Sequence, residues 1–298
     1  MITTSQMEKG ALMAAERILI GCPVHQSPQI LACFLDTLQH LHHHTPHPID
    51  YLFIDDNLDP WSSELLLRFA YTEKSLSPNR QITVLSSGES LQYEKDEVTH
   101  QWNNLLIWKV ARFKDRILSH AREARYDYLF LIDSDVLIQP STLDQLIEAK
   151  KPIISEIFWT EWTPGSHQLP QVWLTDHYKM YRADYGEELS EEEIQTLTLE
   201  FLARLQVPGV YEVGGLGACT LIHRDALYDR ISFGPISNLS FWGEDRHFCV
   251  RAKALGIPLF VDTHQPALHL YRASDLPKAT AFFHIHRIAP VYQKIFAK

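Results

Sequence analysis

Short apolar runs alternate with segments of helical period through the first half of the chain. Arg17-Ile18-Leu19-Ile20-Gly21-Cys22, Tyr51-Leu52-Phe53-Ile54, Gln81 to Leu85 and residues 127–132 read as buried strands. Pro23 is expected to end the first of them. Between these runs, residues 28–41 place Ile30, Leu31, Phe34, Leu35, Leu38 and Leu41 on one helical face. Residues 60–71 also read as a helix, and residues 104–124 place Leu106, Val110, Phe113, Ile117, Ala121 and Ala124 on one face. The β-α-β-α-β-α-β order predicts a parallel sheet with helices on both faces. Right-handed crossovers would bring the carboxyl ends of its strands to one edge. Pro23-Val24-His25, Asp55-Asp56 and Asp133-Ser134-Asp135 should then line one crevice.

The second half is less regular. Helices are expected at 141–149, 187–205 and 243–255, the last ended by Gly256. Strands are expected at 152–155, 211–213, 218–223 and 259–262, with Gly214-Gly215-Leu216-Gly217 joining two of them. The run Glu187, Glu188, Glu191, Glu192 and Glu193 suits the first turns of a helix, where the dipole favours carboxylates. Residues 156–185 are rich in Trp, Tyr and His, including Trp159, Trp162, Trp173, Tyr178 and Tyr181. Such rings pack either in a core or against the apolar faces of sugars and peptides.

Composition narrows the field without deciding it. The 298 residues are 45% hydrophobic and 21% charged, with a formal net charge of −10. An acidic chain argues against general nucleic-acid binding. A nucleotide ligand stays open, since a metal can neutralise phosphate locally. Cys22, Cys33, Cys219 and Cys249 form no Cys-x-x-Cys pair, and three of them sit in apolar or helical contexts that suit reduced, buried thiols, which suggests a cytoplasmic location. No secretory signal or membrane-spanning stretch is expected. With no internal repeat or clear linker, residues 1–298 read as a single catalytic domain. Its half at 17–136 would bind the nucleotide. Its half at 137–298 would bind the acceptor, carry the catalytic residues and end in a tail.

Three local patterns carry chemistry. Asp133 and Asp135 sit directly behind Tyr128-Leu129-Phe130-Leu131-Ile132 and can offer oxygen ligands to Mg²⁺ or Mn²⁺ beside a phosphate. Read alone, the triplet suits a cap or turn equally well. Glu244 and Asp245 open an amphipathic helix; either could serve as a base if burial raises its pKa, or both could be ordinary first-turn acids. His269, one of 16 histidines, could complete a metal site begun by Asp135. His42-His43-His44 with His47, broken by Pro46 and Pro48, reads as a solvated loop. No Gly-rich, Lys-bearing phosphate loop follows the first strand.

Taken together the motifs resemble the family 2 type of GT-A glycosyltransferase. The resemblance spans roughly residues 17–272. It rests mainly on Leu131-Ile132-Asp133-Ser134-Asp135 and on Trp242-Gly243-Glu244-Asp245-x-x-Phe248-x-x-Arg251-Ala252-x-x-Leu255-Gly256. It implies an α/β, Rossmann-like, mostly parallel central sheet flanked by helices, with an acceptor-side subregion. It implies a nucleoside diphosphate sugar donor, UDP- or GDP-linked, and an acceptor saccharide, lipid-linked sugar, peptide or small molecule. On this resemblance Asp56 or its neighbour Asp55 contacts the nucleobase, and Pro23 and His25 border the nucleoside. Arg112 lies near the donor, and Asp133, with Ser134 beside it, approaches the ribose or sugar. Gly214 and Gly215 allow close backbone approach. Asp135 and His269, with Asp133, are the implied ligands of Mn²⁺ or Mg²⁺; Asp245 is the implied base, with Glu244 orienting. Inversion is implied; a retaining transferase and a binding protein without turnover are the alternatives. The second strand ends Asp55-Asp56-Asn57-Leu58-Asp59 where the family carries Asp-Asp-Gly-Ser, which softens the nucleobase assignment. His284 and Arg287 are considered as part of a lid over the donor.

Overall fold

The computed structural model describes residues 15–41, 45–89, 103–228, 230–240 and 243–296. The first half follows the hydrophobic pattern. Strands β1 (Ile18–Val24), β2 (Ile49–Asp55), β3 (Ile82–Ser86) and β4 (Tyr128–Leu131) alternate with helices α1 (Pro28–His40), α2 (Pro60–Leu76) and α3 (Asn104–Glu123). All four strands run parallel, in the order β3-β2-β1-β4. Side chains alternate across β1: Ile18, Ile20, Cys22 and Val24 pack with α1 and α2, and Leu19 packs with α3. β1, β2 and β4 are therefore apolar on both faces, which is why these runs are continuous, whereas β3 at the sheet edge is only half-buried.

β1 does not stop at Pro23 as expected. It continues to Val24, pairing Pro23 with Ile54 of β2. The Ile132 amide donates to the Gly21 carbonyl, so Gly21 bonds toward β4 and Pro23 would bond toward the same side. β4 has already ended there, so the missing proline amide leaves no partner unsatisfied.

Beyond β4 the sheet becomes mixed. β5 (Val136–Leu137), α4 (Thr142–Glu148), β6 (Ile153–Thr160) and β7 (Leu169–Pro170) are followed by α5 (Glu191–Leu205), β8 (Val210–Val213), β9 (Thr220–His223) and α6 (Arg224–Leu227). α7 (Glu244–Ala254), β10 (Leu259–His269) and α8 (Leu276–His286) complete the chain. β9 runs antiparallel between β4 and β6, and β10 runs parallel to β6. The helices divide into two layers. α1, α2, α4 and α8 cover one face of the sheet, and α3, α5, α6 and α7 cover the other.

Three expectations change here. α5 begins after Ser190, whose hydroxyl forms a capping box with Glu193, so Glu187 and Glu188 precede the helix. β10 is far longer than 259–262 and carries His269 itself. The C-terminal segment packs on α1 and not over the crevice. The Asp36 carboxylate accepts from the backbone amides of Val291, Tyr292 and Gln293, and Phe282 and Phe283 are buried in the core on that face. His42-His43-His44 lies outside the described residues. The four cysteines are free and buried, and among the described residues no helix is long and apolar enough to cross a membrane.

Glu156 of β6 is fully buried, and among the described residues neither of its carboxyl oxygens has a hydrogen-bond partner. Burial, reinforced by Asp262 opposite it on β10, pushes its pKa up to about 10; the amides of Gln265 and Ile157 face it and offset only part of this. The folded value lies above the unfolded one, so its contribution is intact below the unfolded pKa and is lost as pH rises toward the folded one. Glu156→Gln should therefore be more stable than the parent at pH 8. Its advantage should grow with pH by at most ~1.4 kcal/mol per unit. Urea unfolding at pH 6 and 8 checks this; parallel behaviour of the two proteins would mean that Glu156 is ionised in the folded chain.

Candidate functional site

The carboxyl ends of β1, β2 and β4 open onto a cavity of about 960 Å³. Pro23, His25, Asp56, Asp133, Ser134, Asp135, Glu244, Asp245 and His269 all line it. Four other expected positions do not. The Asp55 carboxylate accepts from the backbone and side-chain amides of Asn57, which in turn holds the Gln26 amide. Arg112 is exposed and paired with Glu89 at 2.8 Å. A Cβ on Gly214 would fall 1.9 Å from the Leu174 carbonyl oxygen, and one on Gly215 would fall 2.0 Å from the Trp173 ring. These two glycines therefore seat the 173–175 segment. Gly217 and Gly243 are the glycines that border the cavity among the described residues, and a Cβ added to Gly217 would meet Asp245 Oδ2 at 3.3 Å.

At the β1–β2 end, Asp56 is held by Lys109. The Nζ–Oδ2 distance is 2.7 Å, and Lys109 is only 2% exposed. His25 Nδ1 lies 2.6 Å from the Asp56 carbonyl oxygen. Burial alone would raise the Asp56 carboxyl, but hydrogen bonds from His25, Lys109 and Ser87 prevail and hold it below its usual range.

After β4 the chain turns tightly, the Val136 amide donating to the Asp133 carbonyl, and enters β5. β5 pairs antiparallel with the end of β10, setting Val136 opposite His269, and the Leu270 amide donates to the Asp135 carbonyl at 2.8 Å. This pairing brings residues 134 positions apart into contact, with His269 Nε2 3.6 Å from Asp135 Oδ1. Thr160 Oγ1 bonds His269 Nδ1 at 2.8 Å, fixing the ring so that Nε2 faces the carboxylate. Gln26 Nε2 donates to the other Asp135 oxygen at 3.3 Å. Phe158, Trp162 and Tyr271 pack around the imidazole. Burial raises the Asp133 carboxyl; Lys114 opposes this, and Asp135 and Glu244 add to it.

No group of three His, Cys, Asp or Glu side chains able to hold a metal forms among the described residues. Asp135 and His269, 3.6 Å apart, bring together one oxygen and one nitrogen donor. Such a pair suits a Mg²⁺- or Mn²⁺-like cation that takes its other ligands from substrate phosphates and water.

α7 brings the other acids. Glu244 and Asp245 occupy its first turn, and Lys114 Nζ of α3 donates to both, at 2.8 Å and 2.9 Å. Burial, with Glu244 and Asp133 adding to it and Lys114 opposing, pushes Asp245 up to about 7. The adjacent Arg246, 2% exposed, makes a bidentate pair with Asp176, which straps the 174–180 segment to α7. That segment carries Tyr178, whose ring meets Trp173 edge-on with centroids 4.6 Å apart. Of the aromatic stretch, Phe158, Trp162, Trp173 and Tyr178 line the cavity.

Lys109 and Lys114 are the residues the sequence reading passed over. Both flank the apolar stripe of α3, whereas Arg112 lies on its far side. The 100° step per residue held that distinction. Gln26 and Thr160 gave no comparable signal.

A model of the glycosyltransferase family 25 N-terminal domain matches residues 15–182. A glycosyltransferase 25 family member of Anopheles gambiae is 22% identical over 251 residues, covering 82% of this chain and 39% of its own length. The chain thus spans about two fifths of that relative. Among solved structures, a mannosyltransferase from Pyrobaculum calidifontis in complex with GDP-Man and Mn²⁺ superposes with a TM-score of 0.51 at 12% identity. That superposition covers 92% of this chain and 61% of the mannosyltransferase. GalNAc-T7 with UDP, GalNAc and Mn²⁺ gives a TM-score of 0.46 at 15% identity, over 87% of this chain and 45% of its own. The likeness to the mannosyltransferase is one of fold, and that fold is the GT-A arrangement. With the family model covering more than half of its residues, the chain belongs to glycosyltransferase family 25.

Proposed function

We propose that this chain transfers a glycosyl group from a nucleoside diphosphate sugar to an acceptor hydroxyl, with inversion, using a divalent cation. One observation carries the reading: among the described residues five carboxylates (Asp56, Asp133, Asp135, Glu244 and Asp245) line one cavity with one lysine, Lys109, already bound to Asp56. A diphosphate could not enter such a field without a counter-cation. Asp135 and His269 would hold that cation. When bound it supplies charge neutralisation to the departing diphosphate.

The remaining roles fall to the chain itself. His25, Asp56 and Lys109 face the nucleoside at the β1–β2 end. Thr160 keeps the His269 ring turned toward Asp135. Asp245, partly open to the cavity, takes the proton of the acceptor hydroxyl as it attacks the anomeric carbon. The C–O bond to the acceptor forms as the bond to the diphosphate breaks. Trp173 and Tyr178, beside Asp245, offer apolar faces to the acceptor. The mannosyltransferase neighbour, solved with GDP-Man and Mn²⁺, supports the donor class.

Two sets of measurements test this. With UDP- and GDP-sugars and Mn²⁺, Asp245→Asn should lower kcat by roughly 10²–10⁴-fold while nucleotide binding by calorimetry persists. The parent rate should rise with pH through about 7, where Asp245 ionises, and then level off. A product of retained configuration would remove Asp245 from the base role. Separately, Thr160→Val should weaken Mn²⁺ binding about 10–100-fold, since it removes the partner that orients the ligand. Undiminished transfer by the parent in excess EDTA would end the cation assignment.

A further inference from the structure

Lys114 sits under the cavity floor, 3% exposed, and its ammonium donates to Glu244 and Asp245 together. A buried, uncompensated ammonium is costly, and burial alone would pull its pKa down. Asp245, Glu244 and Asp133 more than reverse that and leave it raised well above its usual value, so it is charged. Its Nζ takes Oδ1 of Asp245 and, among the described residues, no donor reaches Oδ2. That second oxygen lies beside Gly217, where the absent side chain keeps the approach open. Beneath, Lys114, Asp133 and Asp245 line a chamber of about 10 Å³, at the lower limit for a single water. On this lower side the acids meet a fixed ammonium, while their other side opens onto the cavity.

We propose that Lys114 is the positioning residue of the transfer reaction: by holding Oδ1 of Asp245 and one oxygen of Glu244, it aims Oδ2 of Asp245 at the acceptor hydroxyl and keeps the two adjacent acids ionised together. This rests on the assignment of Asp245 as base. The groups facing Asp245 are Lys114 from α3, Glu244 and Cys249 from α7, Asp133 from the turn before β5, and Tyr178 from the 174–180 segment. Lys114 is the cation among these described groups. Removing it leaves neighbouring carboxylates to repel one another, so one must take a proton. During transfer Lys114 neither gains nor loses a proton; the acceptor proton passes to Asp245.

The experiment compares Lys114→Met, Lys114→Arg, Glu244→Gln and the Lys114→Met/Glu244→Gln double variant with the parent. The expected result for Lys114→Met is a kcat at least 10²-fold lower with donor KM within about threefold, and an acid limb moved at least one unit to higher pH. Glu244→Gln should move that limb to lower pH, and the double variant should recover part of the Lys114→Met shift. Lys114→Arg keeps the charge and should retain the position of the acid limb, with kcat lowered by altered aim. If Lys114→Met does not fold, the Glu244→Gln and Lys114→Arg profiles decide alone. An unchanged acid limb in Glu244→Gln, or losses of kcat that follow folded fraction and donor KM in every variant, overturns the proposal in favour of a purely structural lysine. Carboxyl ¹³C titration, assigned with Asp245→Asn, keeps this separate from the functional reading. Transfer absent in the parent sinks that reading. An Asp245 resonance that titrates at the same pH with and without the Lys114 ammonium sinks this one.

Discussion

Like charge crowded into one cavity is the constraint that organises this molecule. Among the described residues five carboxylates share a space of about 960 Å³, and each must be met by a cation, a donor or a proton. The chain answers them differently. Asp56 is met by Lys109 and His25, the Glu244–Asp245 pair by Lys114, and Asp135 by Gln26 and His269. Asp133 is left the least compensated, with its carboxyl raised by burial. The unevenness has functional content. Where a fixed lysine answers the charge, the acid is held ready. Where only an amide and an imidazole answer it, the proposed reading would have a cation arrive with the substrate.

Both fixed lysines come from α3, and that helix also supports the sheet. Its apolar residues pack under β1 and β4 while Lys109 and Lys114 reach past the strand ends on either side. Stability and charge placement are thus properties of one element. The 174–180 segment is built the same way: Trp173 fits against Gly215, and Asp176 grips the buried Arg246 next to the proposed base.

Much of this was legible in the sequence because parallel strands are apolar on both faces and stop where the polar groups begin. The Asp133-Ser134-Asp135 triplet, Glu244-Asp245 and His269 reach one cavity largely because topology forces strand ends together. What stayed hidden has specific causes. A lysine inside a helical pattern reads as solvent-facing, so Arg112 drew attention and Lys114 did not. Asp55 and Asp56 are chemically alike, and the contacts of Asn57 and Lys109, distant or local, separate them. The polar stretch Thr263-His264-Gln265 interrupted the apolar run of β10, so its second half was not visible as strand. Pro23 looked terminal because proline lacks an amide donor, but β4, on the side that amide would face, ends first, so the strand runs on.

That interruption in β10 matters beyond assignment. From Asp262 to Ala267 the strand takes five steps where its partner β6 takes two, from Glu156 to Phe158, so three residues loop out of the ladder. An odd insertion reverses which side of the sheet every later residue faces. The excursion therefore works as a phase shifter. Upstream of it β10 obeys the needs of the core, and downstream the same strand can turn an imidazole toward Asp135 without disturbing what lies behind. A lineage could shorten or lengthen that loop by two residues and keep the histidine where it is, whereas a change of one would rotate it out of reach.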